Sequence, residues 1–245
     1  DINVIHERID HGANLLKNHV FQFDFLNDDF SKLPQSLQDI INDPEKRKKL
    51  VIYINPPYAE ASSYGRDSIP QVANETIIFN RYNHLVGKEC LNELFAQFIL
   101  RINKEIPNSI LSFFSTPKFI TSDKFSKFRN ELFARYVSGF ICPSNTFDNV
   151  KGKFPIGFYI FNSDEFIYLK DIETNIYDFS KYGVLQKGKK KFYSTSLSTI
   201  AKWRASFYDE NQKSLGYKTL QVSFNLSYCF DIVCHFIVLY CCMVP

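Results

Sequence analysis

The sequence has little of what would place it outside a reducing compartment or inside a membrane. Its six cysteines include no C-x-x-C pair: Cys90 and Cys142 stand alone, and Cys229, Cys234, Cys241 and Cys242 crowd into the last 17 residues. That spacing argues against a zinc ribbon or a disulfide framework and for a cytoplasmic setting. The opening Asp-Ile-Asn-Val-Ile-His-Glu has neither a basic leader nor an apolar core, so no signal peptide is read there, and the missing initial Met suits a chain that begins inside a larger reading frame. No apolar run reaches the roughly 20 residues of a bilayer span. Residues 232–240 are too few for one and are broken by His235. Neither sign of charge is scarce: 29 basic against 26 acidic residues leave a net +3, too small to specify a nucleic-acid partner. Aromatics are what the chain has in excess, with 25 Phe and 14 Tyr among 245 residues, and its 45% hydrophobic content suffices for a sizeable core. No internal repeat is present.

Ile5, Ile9, Ala13 and Leu16 recur at three- and four-residue spacings, predicting a helix over 2–16. Residues 20–25 read as a strand that stops at the turn-forming Asn27-Asp28-Asp29. Leu50-Val51-Ile52-Tyr53-Ile54 is a continuous apolar run, the pattern of a strand covered on both faces. It ends at Asn55-Pro56-Pro57, where the missing proline N–H takes the chain out of the sheet. Asn55 and Tyr58 are thereby exposed at the strand's carboxyl end, the edge at which open α/β sheets bind ligands. The polar stretch 59–89 reads as a long irregular loop of the kind that forms lids. A helix over 91–106, a strand over 110–114, a helix capped by Ser122 or Asp123 and running to 134, and strands over 136–141 and 156–161 follow. This order predicts an α/β fold: a partial doubly wound, mainly parallel sheet with an antiparallel hairpin at one edge. Past Asp164 the chain becomes Tyr-rich and mixed, then basic, then apolar from Tyr228, so a division into 1–165 and 166–245 is expected. Residues 228–245 read either as a core element or as out-of-frame translation.

At average residue usage an N-P-P-Y string arises by chance in a chain this long only about once in a thousand. Asn55-Pro56-Pro57-Tyr58 resembles the catalytic signature of amino-methyltransferases that use S-adenosylmethionine. Within these, the order of elements over about residues 1–161 resembles the gamma class of N6-adenine DNA methyltransferases of restriction-modification systems. The resemblance implies a role for further residues. Asp24-Phe25-Leu26 matches the D-F-L whose acid receives the cofactor's adenine amino group, and Asp1 falls where the ribose-holding acid is expected. Phe147, in Asn145-Thr146-Phe147, resembles the aromatic that packs on the flipped target base, with Tyr58 supplying the other face. Lys187, Lys189, Lys190 and Lys191, followed by Phe192 and Tyr193, lie where the family places its DNA-recognition region.

The chemistry explains the residue types. An exocyclic amine conjugated to a purine is a poor nucleophile. The Asn55 amide oxygen and the Pro56 carbonyl can each accept one N6 hydrogen, drawing the nitrogen towards sp³ geometry, and the fixed φ of proline holds that carbonyl in place. One departure matters: none of the nine glycines forms the family's glycine-rich cofactor loop. The chain is therefore expected to bind S-adenosylmethionine weakly or not at all alone, and to depend on a complementary N-terminal fragment or a restriction subunit. Rival readings are a protein-glutamine or RNA amino-methyltransferase, which share N-P-P-Y, and a non-catalytic DNA-binding remnant. The long 59–89 loop and the basic run favour DNA. His6 and His11 stand five apart, about 140° around a helix, and so cannot share a metal.

Overall fold

The apolar runs become neighbouring strands of one sheet. The structure, a computed structural model, describes residues 2–13, 16–57, 72–147, 154–180 and 183–194. Strands β1 (Val51–Ile54), β2 (Ile110–Ser115), β3 (Arg135–Pro143), β4 (Pro155–Asn162), β5 (Asp171–Ser180) and β6 (Gly183–Tyr193) form a sheet ordered β1-β2-β4-β3-β5-β6. β1 and β2 are parallel, β4 runs antiparallel to both β2 and β3, β5 is parallel to β3, and β6 returns against β5 as an antiparallel hairpin. The class is mixed α/β. The helices are α1 (Ile2–Asp10), α2 (Gln35–Asn42), α3 (Pro44–Arg47), α4 (Val72–Glu75), α5 (Ile77–Val86), α6 (Lys88–Leu91), α7 (Leu94–Glu105), α8 (Lys118–Thr121) and α9 (Ser126–Glu131).

Strand alternation decides what the sheet buries. Ile52, Ile54, Leu111, Phe113, Tyr159 and Phe161 share a core with Phe95, Phe98, Ile99 and Ile102 of α7 and with Phe119, Phe125 and Phe128. Each such side chain contributes about 1.5–3 kcal/mol by leaving water. Phe113 and Phe161 are stacked, 5.7 Å between centroids and 10° between planes. The alternate residues Tyr53, Phe114, Phe158 and Phe140 are only half-buried and pack on one another, Tyr53 edge-on to Phe114 at 6.2 Å and Phe114 tilted on Phe158 at 4.9 Å. The expectation that β1 is covered on both faces thus holds for one face only. Among the described residues β1 also lies at the edge of the sheet.

Several expected elements differ. No strand forms over 20–25; the chain there turns, because the Asp24 carboxylate captures the Leu26 N–H at 3.0 Å and the Asp24 carbonyl that of Asp28 at 2.7 Å, drawing those groups away from any ladder. The first helix stops at Asp10, where Gly12 at φ 94° turns the chain and its N–H is taken by Ile9. Within 59–89 the described part is helical, not irregular: α5 is capped by the Thr76 hydroxyl, which accepts from the Phe79 N–H. Neither Ser122 nor Asp123 opens a long helix. A single 3₁₀ turn precedes α9, and Ser122 caps nothing. The basic run forms half of a hairpin, since β6 spans Lys187 to Lys191, and its partner β5 pairs with β3 in the same sheet. Residues 195–245, including the apolar end, lie outside the described residues, as do Asp1 and Tyr58.

Candidate active site

β1 delivers Asn55 to its carboxyl end, exposed, with Pro56 buried beneath it and Pro57 half-buried. Parallel pairing with β2 fixes the register, Ile54 beside Phe113. Asn55 is the first residue past the strand, two along from Tyr53, whose ring packs edge-on to Phe114. Phe147 joins the same row, edge-on to Phe114 at 5.7 Å and 36% exposed. Phe147, Phe114 and Tyr53 thus form a line of rings beside the strand that leads into Asn55. Phe147 reaches it from the end of a 3₁₀ turn over Ser144–Thr146, which is held to β4 by the Ser144 N–H donating to the Phe154 carbonyl at 2.8 Å.

Asp24 sits at the tip of a turn built from its own groups. One carboxylate oxygen accepts the Leu26 N–H and the other the Asn27 side-chain amide at 2.9 Å, while the Asp24 N–H donates to Asp28 at 2.9 Å. Among the described residues each carboxylate oxygen accepts one hydrogen bond, which leaves it further acceptor capacity. The first N–H groups of a helix lack internal partners, and the turn satisfies two from α5: Ile77 donates to the Asn27 side-chain oxygen at 3.0 Å and Ile78 to the Leu26 carbonyl at 3.3 Å. Asp28 and Asp29 are held below the usual carboxylate range, Asp28 chiefly by the Lys32 ammonium and Asp29 by the Ser31 backbone N–H. Phe25 is placed differently from a ligand-facing ring. It is buried, stacked on Phe98 of α7 at 5.3 Å and 13°.

The four lysines stand elsewhere. β6 is five strand spacings from β1, about 24 Å at the usual separation. Three of them also face acids of β5: Lys187 lies 3.7 Å from Asp178, Lys189 3.6 Å from Glu173 and Lys191 3.2 Å from Asp171, while Lys190 lies 5.6 Å from the centre of the Phe192 ring. Of the expected 59–89 loop, residues 72–89 are largely helical and 59–71 lie outside the described residues. Among the described residues no three His, Cys, Asp or Glu side chains gather as a metal site, and no helix is long and apolar enough to cross a membrane.

Sequence reading overlooked two parts of the site. The Tyr53–Phe114 row was signalled only by β1 being apolar at every position. Arg101 was signalled by one charge inside the apolar stripe Phe98-Ile99-Leu100-Arg101-Ile102. It is 3% exposed and donates to the carbonyls of Phe25 and Asp28.

No family model matches the chain, and no curated protein does. Solved structures overlap it in part. The DrdV–DNA complex is 19% identical over 55% of this chain and 15% of that one, with a TM-score of 0.36. The type IIL restriction-modification enzyme MmeI in complex with DNA is 13% identical over 69% and 21%, with a TM-score of 0.41. A modification subunit of a type I restriction enzyme from Vibrio vulnificus is 14% identical over 64% and 29%, with a TM-score of 0.34. The chain therefore spans less than a third of each, and at these identities and scores no activity is carried across.

Proposed function

We propose that this chain is the catalytic segment of an S-adenosylmethionine-dependent methyltransferase, of restriction-modification type, acting on adenine N6 in duplex DNA. The observation that carries the reading is Asn55-Pro56-Pro57 leaving the carboxyl end of a parallel strand flanked by a line of rings, Tyr53, Phe114 and Phe147. The Asn55 amide oxygen and the Pro56 carbonyl accept the two amine hydrogens, and Pro57 keeps the chain out of the sheet. A base flipped from the duplex stacks on the exposed part of Phe147, with Tyr58, outside the described residues, as its second face. A planar base uses such a ring; a glutamine amide or a bare phosphate does not, which ranks the glutamine-modifying and purely DNA-binding alternatives lower.

The cofactor supplies the electrophilic sulfonium methyl. Asp24 fits its adenine amino group, having an exposed carboxylate with acceptor capacity left, and Phe25 contributes backbone and not its ring, since that ring is packed on Phe98. Asp1, outside the described residues, is the proposed ribose partner. No glycine loop for the methionine end is present in this sequence, so we propose that it is supplied from outside these 245 residues, by an N-terminal segment or a partner subunit. Residues 166–245 would open target recognition, with Lys187, Lys189, Lys190 and Lys191 as backbone contacts.

The test is transfer of a labelled methyl group to duplex DNA, to RNA and to a glutamine peptide by the chain mixed with a segment bearing an F-x-G-x-G loop. Label on adenine N6 is expected. Label on glutamine or RNA alone would sink the DNA reading.

A further inference from the structure

Arg101 is a charge placed where a hydrophobe would cost less. It lies on α7 among core residues, and its guanidinium carbon is 4.3 Å from the centre of the Phe30 ring, 5.1 Å from that of Phe25 and 5.9 Å from that of Phe23. All three of its nitrogens are used. Nε donates to Glu105 at 2.8 Å, Nη1 to the Phe25 carbonyl and Nη2 to the Asp28 carbonyl at 2.8 Å. Glu105 balances the charge and also accepts the Tyr82 hydroxyl at 2.9 Å and pairs with Arg81. Replacing a buried ion pair by packed apolar groups is often neutral or stabilising, so packing alone does not account for this arrangement.

The two carbonyls it holds belong to one turn, the one whose tip is Asp24. Inside the turn the bonds are local: Asp24 to Leu26, Asn27 and Asp28. Short local bonds of this kind leave the orientation of the whole turn to outside partners. Among the described residues those are the first N–H groups of α5, the Lys32 ammonium on the Asp28 carboxylate and, alone in reaching two backbone carbonyls of the turn, the fork of Arg101. Only a planar guanidinium meets two divergent carbonyls and a carboxylate while its faces rest on rings, and a lysine ammonium cannot.

We infer that Arg101 is a positioning residue: it sets the orientation of the 24–28 turn and thereby of the Asp24 carboxylate. Only the last step, that Asp24 meets the cofactor's purine, rests on the function proposed above.

Amide hydrogen exchange of the full chain, wild type against Arg101→Lys, tests it without any cofactor. Loss of the fork is expected to speed exchange at Leu26 and Asp28 by about tenfold, the effect of roughly 1.4 kcal/mol of local opening, while Ile99 to Asn103 of α7 stay within about twofold. No acceleration in the turn, or equal acceleration along α7, overturns the inference. Phe30→Leu weakens the same clamp without touching a hydrogen bond and decides the matter if Arg101→Lys does not fold: faster exchange confined to 24–28 supports positioning, and unchanged exchange overturns it. In the complemented enzyme, Arg101→Lys should raise KM for S-adenosylmethionine about fivefold, the worth of one hydrogen bond, with kcat kept. A fall in kcat at constant KM goes against it. If complemented wild type transfers no methyl group at all, the proposed function fails, and the exchange result still decides this inference.

Discussion

The Thr76 hydroxyl donates to the side-chain oxygen of Gln97 at 2.6 Å, joining the cap of α5 to the middle of α7 inside the core. Gln97 then donates to the carbonyls of Ala73 and Leu91, both at 2.7 Å, and is fully buried. One side chain therefore satisfies three buried polar groups. Gln97→Leu keeps the volume and orphans all three, so it should cost about 3 kcal/mol, at roughly 1–3 kcal/mol for each group left unsatisfied and allowing for partial relaxation. A urea midpoint equal to the wild type's would show that the network is not formed.

Gly157 is held to hydrogen by its neighbour. A Cβ there would lie 2.2 Å from the Tyr159 hydroxyl oxygen, 2.3 Å from ring carbon Cζ and 2.7 Å from Cε2. Tyr159 is fully buried and cannot swing away. Gly157→Ala should destabilise by about 1–3 kcal/mol, the usual cost of overpacking. Adding Tyr159→Phe should not restore stability, because the ring carbons remain in the way; full recovery in thermal denaturation would count against this packing.

Asn55→Ala should separate chemistry from folding. The residue is exposed, and rates are compared under conditions where denaturation curves show both proteins fully folded. Methyl transfer by the complemented enzyme should fall by about 10²–10³, the range seen when one positioned polar group is removed from a reaction centre. Wild-type rates in single-turnover assays would refute the proposed role.

The acids of β5 should mute the lysines of β6. Neutralising two of them together, Asp171→Asn with Glu173→Gln, frees Lys191 and Lys189. If the hairpin meets DNA, binding followed by fluorescence anisotropy should tighten, and the slope of log K against log salt should steepen by up to about 2, near one for each lysine that gains a phosphate. An unaltered slope would place the hairpin away from DNA.

Cys90 offers a pH readout. Burial pushes its thiol from an ordinary 9.0 up to about 12. The folded value is the higher one, so the folded chain keeps the proton longer; stability is complete below pH 9 and is lost as pH rises towards about 12. Burial also pushes Tyr82 and Tyr136 up, so the informative quantity is the difference from Cys90→Ala, which should lose less stability over that window. Parallel stability curves for the two proteins would contradict a buried thiol.

Legibility in the sequence followed hydrophobic contrast. β1 to β4 were found within a residue or two because each is an apolar run between turn residues. β5 and β6 were not: one side of that hairpin is a lattice of Asp171, Glu173, Lys189 and Lys191, and the alternation of Ile172, Thr174 and Ile176 is easily lost beneath it. Residues 20–25 carried strand composition, yet their rings serve Arg101, a demand made 76 positions away. The types of residue at the site were readable from Asn55 and Asp24. Burial of the Phe25 ring and neutralisation of the lysines were not, since both depend on partners from other elements.

The position of β1 also governs how the purified chain behaves in the tube. Leu50 to Ile54 carries no charge, is rich in β-branched residues and forms an edge of the sheet among the described residues. Rims of that kind recruit further strands, so concentrated stocks should be lost to filament-like stacking sooner than to heat, and the strand that bears Asn55 would be the first one hidden.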